Sequence, residues 1–346
     1  MIRVGLIGAG FIGRNHFNQY EKLAGRARVH ALCDSQADRL AGDWSKVGGN
    51  LGDKQGTRRN LAGIKPYAAW PDLVADPNVD LVDICLPTFL HKDIAVAALA
   101  AGKHVLCEKP MALNLADCDA MLAAAAKARG LFMVAQCIRF WPQYVWLKQA
   151  LDSGRFGRPL ALNLRRHCEW PSHSLNNWLN DPSLAGGALF DLHIHDLDYA
   201  MYLLGKPQAI TAQGWGHVPE GFDRVHTLWH YPSGVNVQIE GYWDMPAGFG
   251  FNMGFTARFE QAAVVWDLNT GKPLTVYLND GPPETPDLPP GGDGYFGEID
   301  YFLACIEQNR PPALCTPRDS RDAVALAWLE DQSIRTGRTI AVPAHL

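Results

Sequence analysis

The chain has 346 residues, 47% of them hydrophobic and 19% charged, with a formal net charge of −5 at pH 7. Single cores stop growing beyond roughly 250–300 residues, so this length predicts two domains with ample interior. The acidic balance and the dispersed basic residues argue against a nucleic-acid surface, which carries a basic footprint.

The eight cysteines include no Cys-x-x-Cys pair, and Cys33, Cys85, Cys107 and Cys137 fall in apolar strand-like runs. They read as small buried residues in a reducing compartment rather than as disulfides or a metal cluster. The chain opens on a strand-like run rather than on a basic and apolar leader, and no apolar run reaches transmembrane length. The expectation is a cytoplasmic enzyme with no membrane partner.

In chain order, the run Ile2–Ile7 leads into Gly8-Ala9-Gly10-Phe11-Ile12-Gly13 and a helix that starts near Phe11. A pyrophosphate needs glycines where the backbone turns tightly, and a helix N-terminus whose N–H groups and dipole face the anion. A second strand, Val29–Cys33, ends at Asp34, 21 residues beyond Gly13. This is where an acidic residue accepts hydrogen bonds from the adenosine ribose and repels a 2′-phosphate, so the pattern predicts NAD. The polar, Gly-rich stretch from Trp44 to Lys65 reads as a solvated loop. Its Arg58 or Arg59 could reach the adenosine end and admit NADP.

Further alternation follows: strands near Tyr67 and over Leu81–Leu86, His104–Cys107 and Phe132–Gln136, with helices over Lys92–Ala101 and Leu115–Arg129 between them. Strand and helix in alternation predict right-handed crossovers and a parallel, doubly wound Rossmann sheet over residues 1–138. Beyond Arg139 the pattern changes to longer strands of alternating polarity, with Pro232-Ser233-Gly234 as a hairpin turn. Residues 139–346 are expected to form an α+β domain around a large, open, mostly antiparallel sheet, closed by helices over Phe296–Gln308 and Arg318–Thr336.

Within that domain, Asp191 and His195 stand four apart on one face of a predicted helix. A carboxylate beside an imidazole makes a base that works near neutral pH, as alcohol oxidation requires. His193 lies two positions from His195 and points elsewhere, so no metal is expected there. Glu108-Lys109-Pro110 follows a parallel strand at the carboxyl edge where such sheets bind ligands, and Lys109 can stabilise alkoxide charge. Pro87-Thr88 with His91 ends the neighbouring strand in the same way. His167, Glu169, Trp170 and Trp178 mix aromatic faces with polar edges, which suits a polyhydroxy substrate.

These motifs, with Gln136, Arg139-Phe140, Gly186-Gly187 and Glu298–Phe302, resemble the Gfo/Idh/MocA oxidoreductase family over nearly the whole chain. The resemblance implies NAD(P)-dependent oxidation or reduction of sugars, cyclitols and related polyols, by a homodimer or homotetramer. Carried over by position, Lys109, Asp191 and His195 are the catalytic trio. Gly8, Gly10, Phe11, Ile12, Gly13, Asp34, Pro87, Thr88, His91, Glu108, Lys109 and Gln136 hold the cofactor, and Arg139 joins the substrate side. The alternatives are an NADP-preferring reductase, a C–O bond-cleaving enzyme that uses the nicotinamide transiently, and a cofactor-binding regulator without turnover.

Overall fold

Short, mostly apolar runs flanked by helices build a six-stranded parallel sheet in the computed structural model, which describes residues 1–49, 56–172, 174–218 and 220–346. Its strands are β1 (Ile2–Ile7), β2 (Ala27–Cys33), β3 (Lys65–Tyr67), β4 (Leu81–Ile84), β5 (His104–Glu108) and β6 (Phe132–Ala135), ordered β3-β2-β1-β4-β5-β6. The chain winds outward one way from β1 and then returns to wind the other way from β4. The carboxyl ends of β1 and β4 therefore flank the point where the order reverses, which is where doubly wound sheets bind ligands.

By internal packing the chain divides into two units. One comprises Met1–Cys137, Ser172–Leu179 and Asp293–Arg321, and the other Ile138–Pro171, Asn180–Gly292 and Asp322–Leu346.

The second unit holds an eight-stranded sheet of β7 (Pro159–Glu169), β8 (Ala209–Trp215), β9 (Arg224–His230), β10 (Asn236–Met245), β11 (Phe251–Phe259), β12 (Ala262–Asp267), β13 (Thr275–Leu278) and β14 (Ile340–Ala341). The order is β13-β12-β11-β7-β10-β9-β8-β14. Only β7 and β10 run parallel; every other neighbouring pair is antiparallel. The hairpin turn between β9 and β10 is made by Gly234 at φ 78°. One face of the sheet is buried, with Leu162, Leu164, Arg166 and Cys168 of β7 beside Val237, Ile239, Gly241 and Trp243 of β10. The helix Ile194–Leu204 packs on that face, where Arg166 pairs with Asp196 at 2.7 Å.

The stretch after Trp44 departs from a solvated loop. Trp44 is fully buried, meets Phe17 edge-on at 5.0 Å, and donates its indole N–H to the Arg39 carbonyl at 2.9 Å. Val47 is buried in the same cluster with Leu6, Ala9 and Leu32. Residues 50–55 of that stretch lie outside the described residues. All eight cysteines are free and buried, and no described helix is long and apolar enough to cross a membrane.

Candidate active site

Gly8 adopts φ 99°, and a side chain there would put its Cβ 2.3 Å from the Cys85 carbonyl oxygen. A Cβ on Gly13 would lie 1.8 Å from the Gly8 carbonyl oxygen. Both glycines therefore let the helix Phe11–Lys22 press its first turn onto the strand ends. Gly10 differs: the nearest atom to a Cβ built there is an Arg39 nitrogen at 3.9 Å, and Gly10 caps the helix without a side-chain hydrogen bond. The first N–H groups of the helix and its positive dipole end thus face room for an anion.

Asp34, at the end of β2, is 6% exposed. Its Oδ2 accepts the Ala9 N–H at 2.7 Å and its Oδ1 accepts the Gln36 N–H at 2.8 Å. An ionised carboxylate has about four acceptor sites, so capacity remains for ribose hydroxyls. The cation beside it is Arg39, with Nη1 3.4 Å from Asp34 Oδ2. Neither Arg58 nor Arg59 fills that role: Arg58 pairs with Asp43, and Arg59 with Glu21 and Asn18. Arg39 sits in a four-residue helix, Ala37–Leu40, with no motif to mark it in the sequence.

Gln136 follows β6 and is fully buried, yet neither its amide nitrogen nor its amide oxygen bonds to a described residue. A buried polar group left in that state costs about 1–3 kcal/mol, which a ligand amide with its own donor and acceptor would offset. The glycine turn, Asp34 and Gln136 together suit a nicotinamide dinucleotide.

Lys109 is the only residue from Val105 to Ala112 that is not buried. Its backbone N–H donates to Glu108 Oε2 at 3.1 Å. His91 is a tie behind this edge rather than a group offered to a ligand. Its Nε2 lies 2.8 Å from the Leu86 carbonyl oxygen and its Nδ1 3.0 Å from that of Pro110, binding the turns after β4 and β5 together. Burial lowers its pKa, against the pull of the two carbonyls. Thr88 is buried in the turn Thr88–Leu90, and Pro87 is half-buried before it.

In the second unit, Leu189–His193 winds as a π-helix before the α-helix Ile194–Leu204 begins. From Gly187 to Met201 only Asp191 and His195 are not buried. π-helical segments are mostly single turns inserted in α-helices, frequently at functional sites. This one is seated through Gly241, where a Cβ would lie 2.8 Å from the His193 Cβ. His193 Nε2 lies 2.9 Å from Glu330 Oε2, and Glu330 Oε1 accepts the Trp229 indole N–H at 2.8 Å. His193 therefore anchors the turn, while His195, one turn after Asp191, is only half-buried beside it.

Residues 2–136 match the oxidoreductase family with an NAD-binding Rossmann fold, and residues 144–264 match the GFO/IDH/MocA C-terminal domain. The chain belongs to the Gfo/Idh/MocA family. Its first domain is that family's NAD-binding fold, and the protein is an NAD-dependent oxidoreductase. It is 27% identical to myo-inositol 2-dehydrogenase of Thermotoga maritima, with 98% of each chain covered. It is 31% identical to 1,5-anhydro-D-fructose reductase of Ensifer adhaerens over 100% of both. A levoglucosan dehydrogenase solved with NADH and levoglucosan has the same fold, at a TM-score of 0.84 and 22% identity over 99% of each chain.

Against this family background, three residues expected on the substrate side prove to be structural. Arg139 is 4% exposed and holds Asp198 through two hydrogen bonds of 2.7 Å, with Tyr202 stacked 4.6 Å away. His167 points to the sheet face opposite the helix of Asp191 and His195, because strand side chains alternate and its neighbour Arg166 takes the helix side. There it stacks on Tyr242 at 4.6 Å and meets Glu240 at 3.4 Å. Glu169 Oε1 closes the turn before β11 by accepting the Gly248 and Gly250 N–H groups. Trp178 is half-buried and belongs to the first unit.

Trp170 packs instead against the cluster of Ala188, Leu192 and Trp243, on the side of the Asp191 turn. Beside it stands a pair that no motif in the chain announces. His217 Nδ1 lies 2.8 Å from Asp223 Oδ2, and the His217 ring meets Trp170 edge-on at 4.7 Å. Asp223 is buried and its Oδ1 accepts the Trp243 indole N–H at 2.7 Å. The one available signal was a histidine and an aspartate at the two ends of a short Pro/Gly-containing loop.

Proposed function

We propose that this oxidoreductase dehydrogenates a sugar, cyclitol or related polyol, with His195 as general base, Asp191 as its orienting carboxylate and Lys109 as the cation that receives alkoxide charge. The observation that carries this reading is the selective exposure of these three side chains in otherwise buried segments. Charged and titratable groups held at the surface of well-packed elements are placed for contact with a ligand. The relatives' names, an inositol dehydrogenase and an anhydrofructose reductase, supply the substrate class.

In the forward direction His195 takes the hydroxyl proton and Asp191 stabilises the imidazolium that results. Lys109 donates to the same oxygen as its negative charge grows. Bound NAD supplies the acceptor for the hydride that leaves the carbon. Trp170 and the His217–Asp223 pair form the wall that meets the sugar ring, with an aromatic edge and an oriented imidazole for its hydroxyls.

The enzyme works in the cytoplasm as a homodimer or homotetramer built through the outer face of the eight-stranded sheet, where Trp215 is 50% and Tyr277 49% exposed. Light scattering at assay concentration tests the assembly, and a monomer would reject it. A spectrophotometric panel of aldoses, inositols and sugar acids with NAD and NADP tests the activity. Stoichiometric NADH release identifies dehydrogenation; turnover without net NADH would move the reading to transient redox chemistry.

A further inference from the structure

A cluster of ionisable side chains lies in the first unit, wholly inside it and unused by the chemistry above. His16, on the helix Phe11–Lys22, is fully buried. Its Nδ1 lies 2.9 Å from Asp83 Oδ2 on β4, and its Nε2 lies 3.1 Å from Glu108 Oε1 and 3.7 Å from Glu298 Oε1. Tyr20 donates to the same Asp83 oxygen at 2.8 Å, and the Cys85 sulfur stands 3.4 Å from His16 Nδ1. The helix Gly294–Glu307 brings Tyr295 and Glu298 to the other side, with Asp293 at its N-cap.

We propose that His16 is a positioning residue for Lys109: the imidazolium, hydrogen-bonded to Asp83, attracts one oxygen of Glu108 at ion-pair distance without a hydrogen bond to it, while the other oxygen holds the Lys109 backbone N–H. The two ends of one carboxylate thus connect a buried cation to the half-buried lysine. Glu298 completes the arrangement as a neutral acid. Its carboxyl is fully buried, neither oxygen accepts a hydrogen bond from a described residue, and a third buried carboxylate beside Asp83 and Glu108 would have only one cation among them. Burial and the neighbouring Glu108 push its pKa well up, in keeping with that role. Without His16, Glu108 would lose its buried cation, remain beside the Asp83 carboxylate and turn away, carrying the Lys109 peptide with it.

The inference rests on Lys109 being catalytic, and a double-mutant cycle separates the two claims. His16→Asn keeps a short amide near Asp83 but cannot reach Glu108. We expect kcat per folded enzyme to fall about 10- to 100-fold, the scale on which a misplacement of about 1 Å acts. His16→Gln, whose longer amide reaches toward Glu108, should restore most of that loss. In a Lys109→Met background His16→Asn should cost almost nothing further, since its effect passes through the missing lysine. Equal loss in both backgrounds, or full kcat in His16→Asn, overturns the positioning role alone. Undiminished kcat in Lys109→Met overturns the catalytic reading and this one with it. A stoichiometric metal on the purified protein whose removal reproduces His16→Asn would make the cluster a metal centre and also overturn the proposal.

Discussion

Asp34 accepts the Ala9 backbone N–H at 2.7 Å, so the acidic end of β2 and the glycine turn after β1 are a single hydrogen-bonded unit. Asp34→Ala removes the ribose acceptor and loosens the turn together. A charge-assisted hydrogen bond contributes about 1.5–3 kcal/mol, so kcat/KM with NAD should fall roughly 10- to 100-fold. With NADP the fall should be smaller, because the carboxylate that repels a 2′-phosphate is gone and Arg39 is released. Wild-type kcat/KM with NADP equal to or above that with NAD would reject the assigned preference.

His195→Ala should lower kcat on the order of 10²–10⁴-fold, the usual range for general acid–base catalysis, with NAD affinity nearly unchanged. Asp191→Asn should lower kcat with little change in NAD affinity, because the imidazolium formed during turnover loses the carboxylate that orients it. Near-normal turnover in His195→Ala would send the search for the base elsewhere in the second unit.

Arg139→Ala strips the partner from a fully buried carboxylate, Asp198. Breaking a buried pair in this way costs about 3–5 kcal/mol, read as a lower denaturant midpoint. A variant of unchanged stability with a raised substrate KM would instead return Arg139 to the substrate site.

Stability should decline as pH rises from the ordinary carboxyl range upward. Burial opposes the charge on His16, but Asp83 outweighs it and holds the pKa well above 6.5; burial raises that of Glu298 well above 4.5. A raised folded value stabilises fully below the ordinary pKa and is lost as pH climbs through the folded one, so both groups act in the same direction. Tm measured against pH should therefore fall as the pH rises, and Glu298→Gln, neutral throughout, should show a shallower fall. An identical slope in the variant would mean that Glu298 is ionised in the folded protein.

The Rossmann half was legible because buried parallel strands and their crossover helices leave continuous apolar runs broken by glycine turns. Strand β12 was not. Ala263 and Val265 are half-buried on its outer side, so Ala262–Asp267 shows no polar alternation to mark it. Asp191 and His195 could be found because their relation is local, four residues along one helix. Arg139 and Asp198, or His16 and Glu298, meet only through the fold, and no spacing in the chain announces such pairs. His167 and Arg166 show the finest limit: in a strand, one residue decides the face.

The burial of all eight thiols gives each unit a built-in clock for its own opening. Burial pushes Cys33 and Cys118 up to about 12, so a thiol reagent must wait for exposure before it reacts. Seven of the eight belong to the first unit, whereas Cys168, in β7, belongs to the second. Labelling followed by peptide mass would thus time the breathing of the substrate half from a single site, with the other seven timing the nucleotide half in parallel.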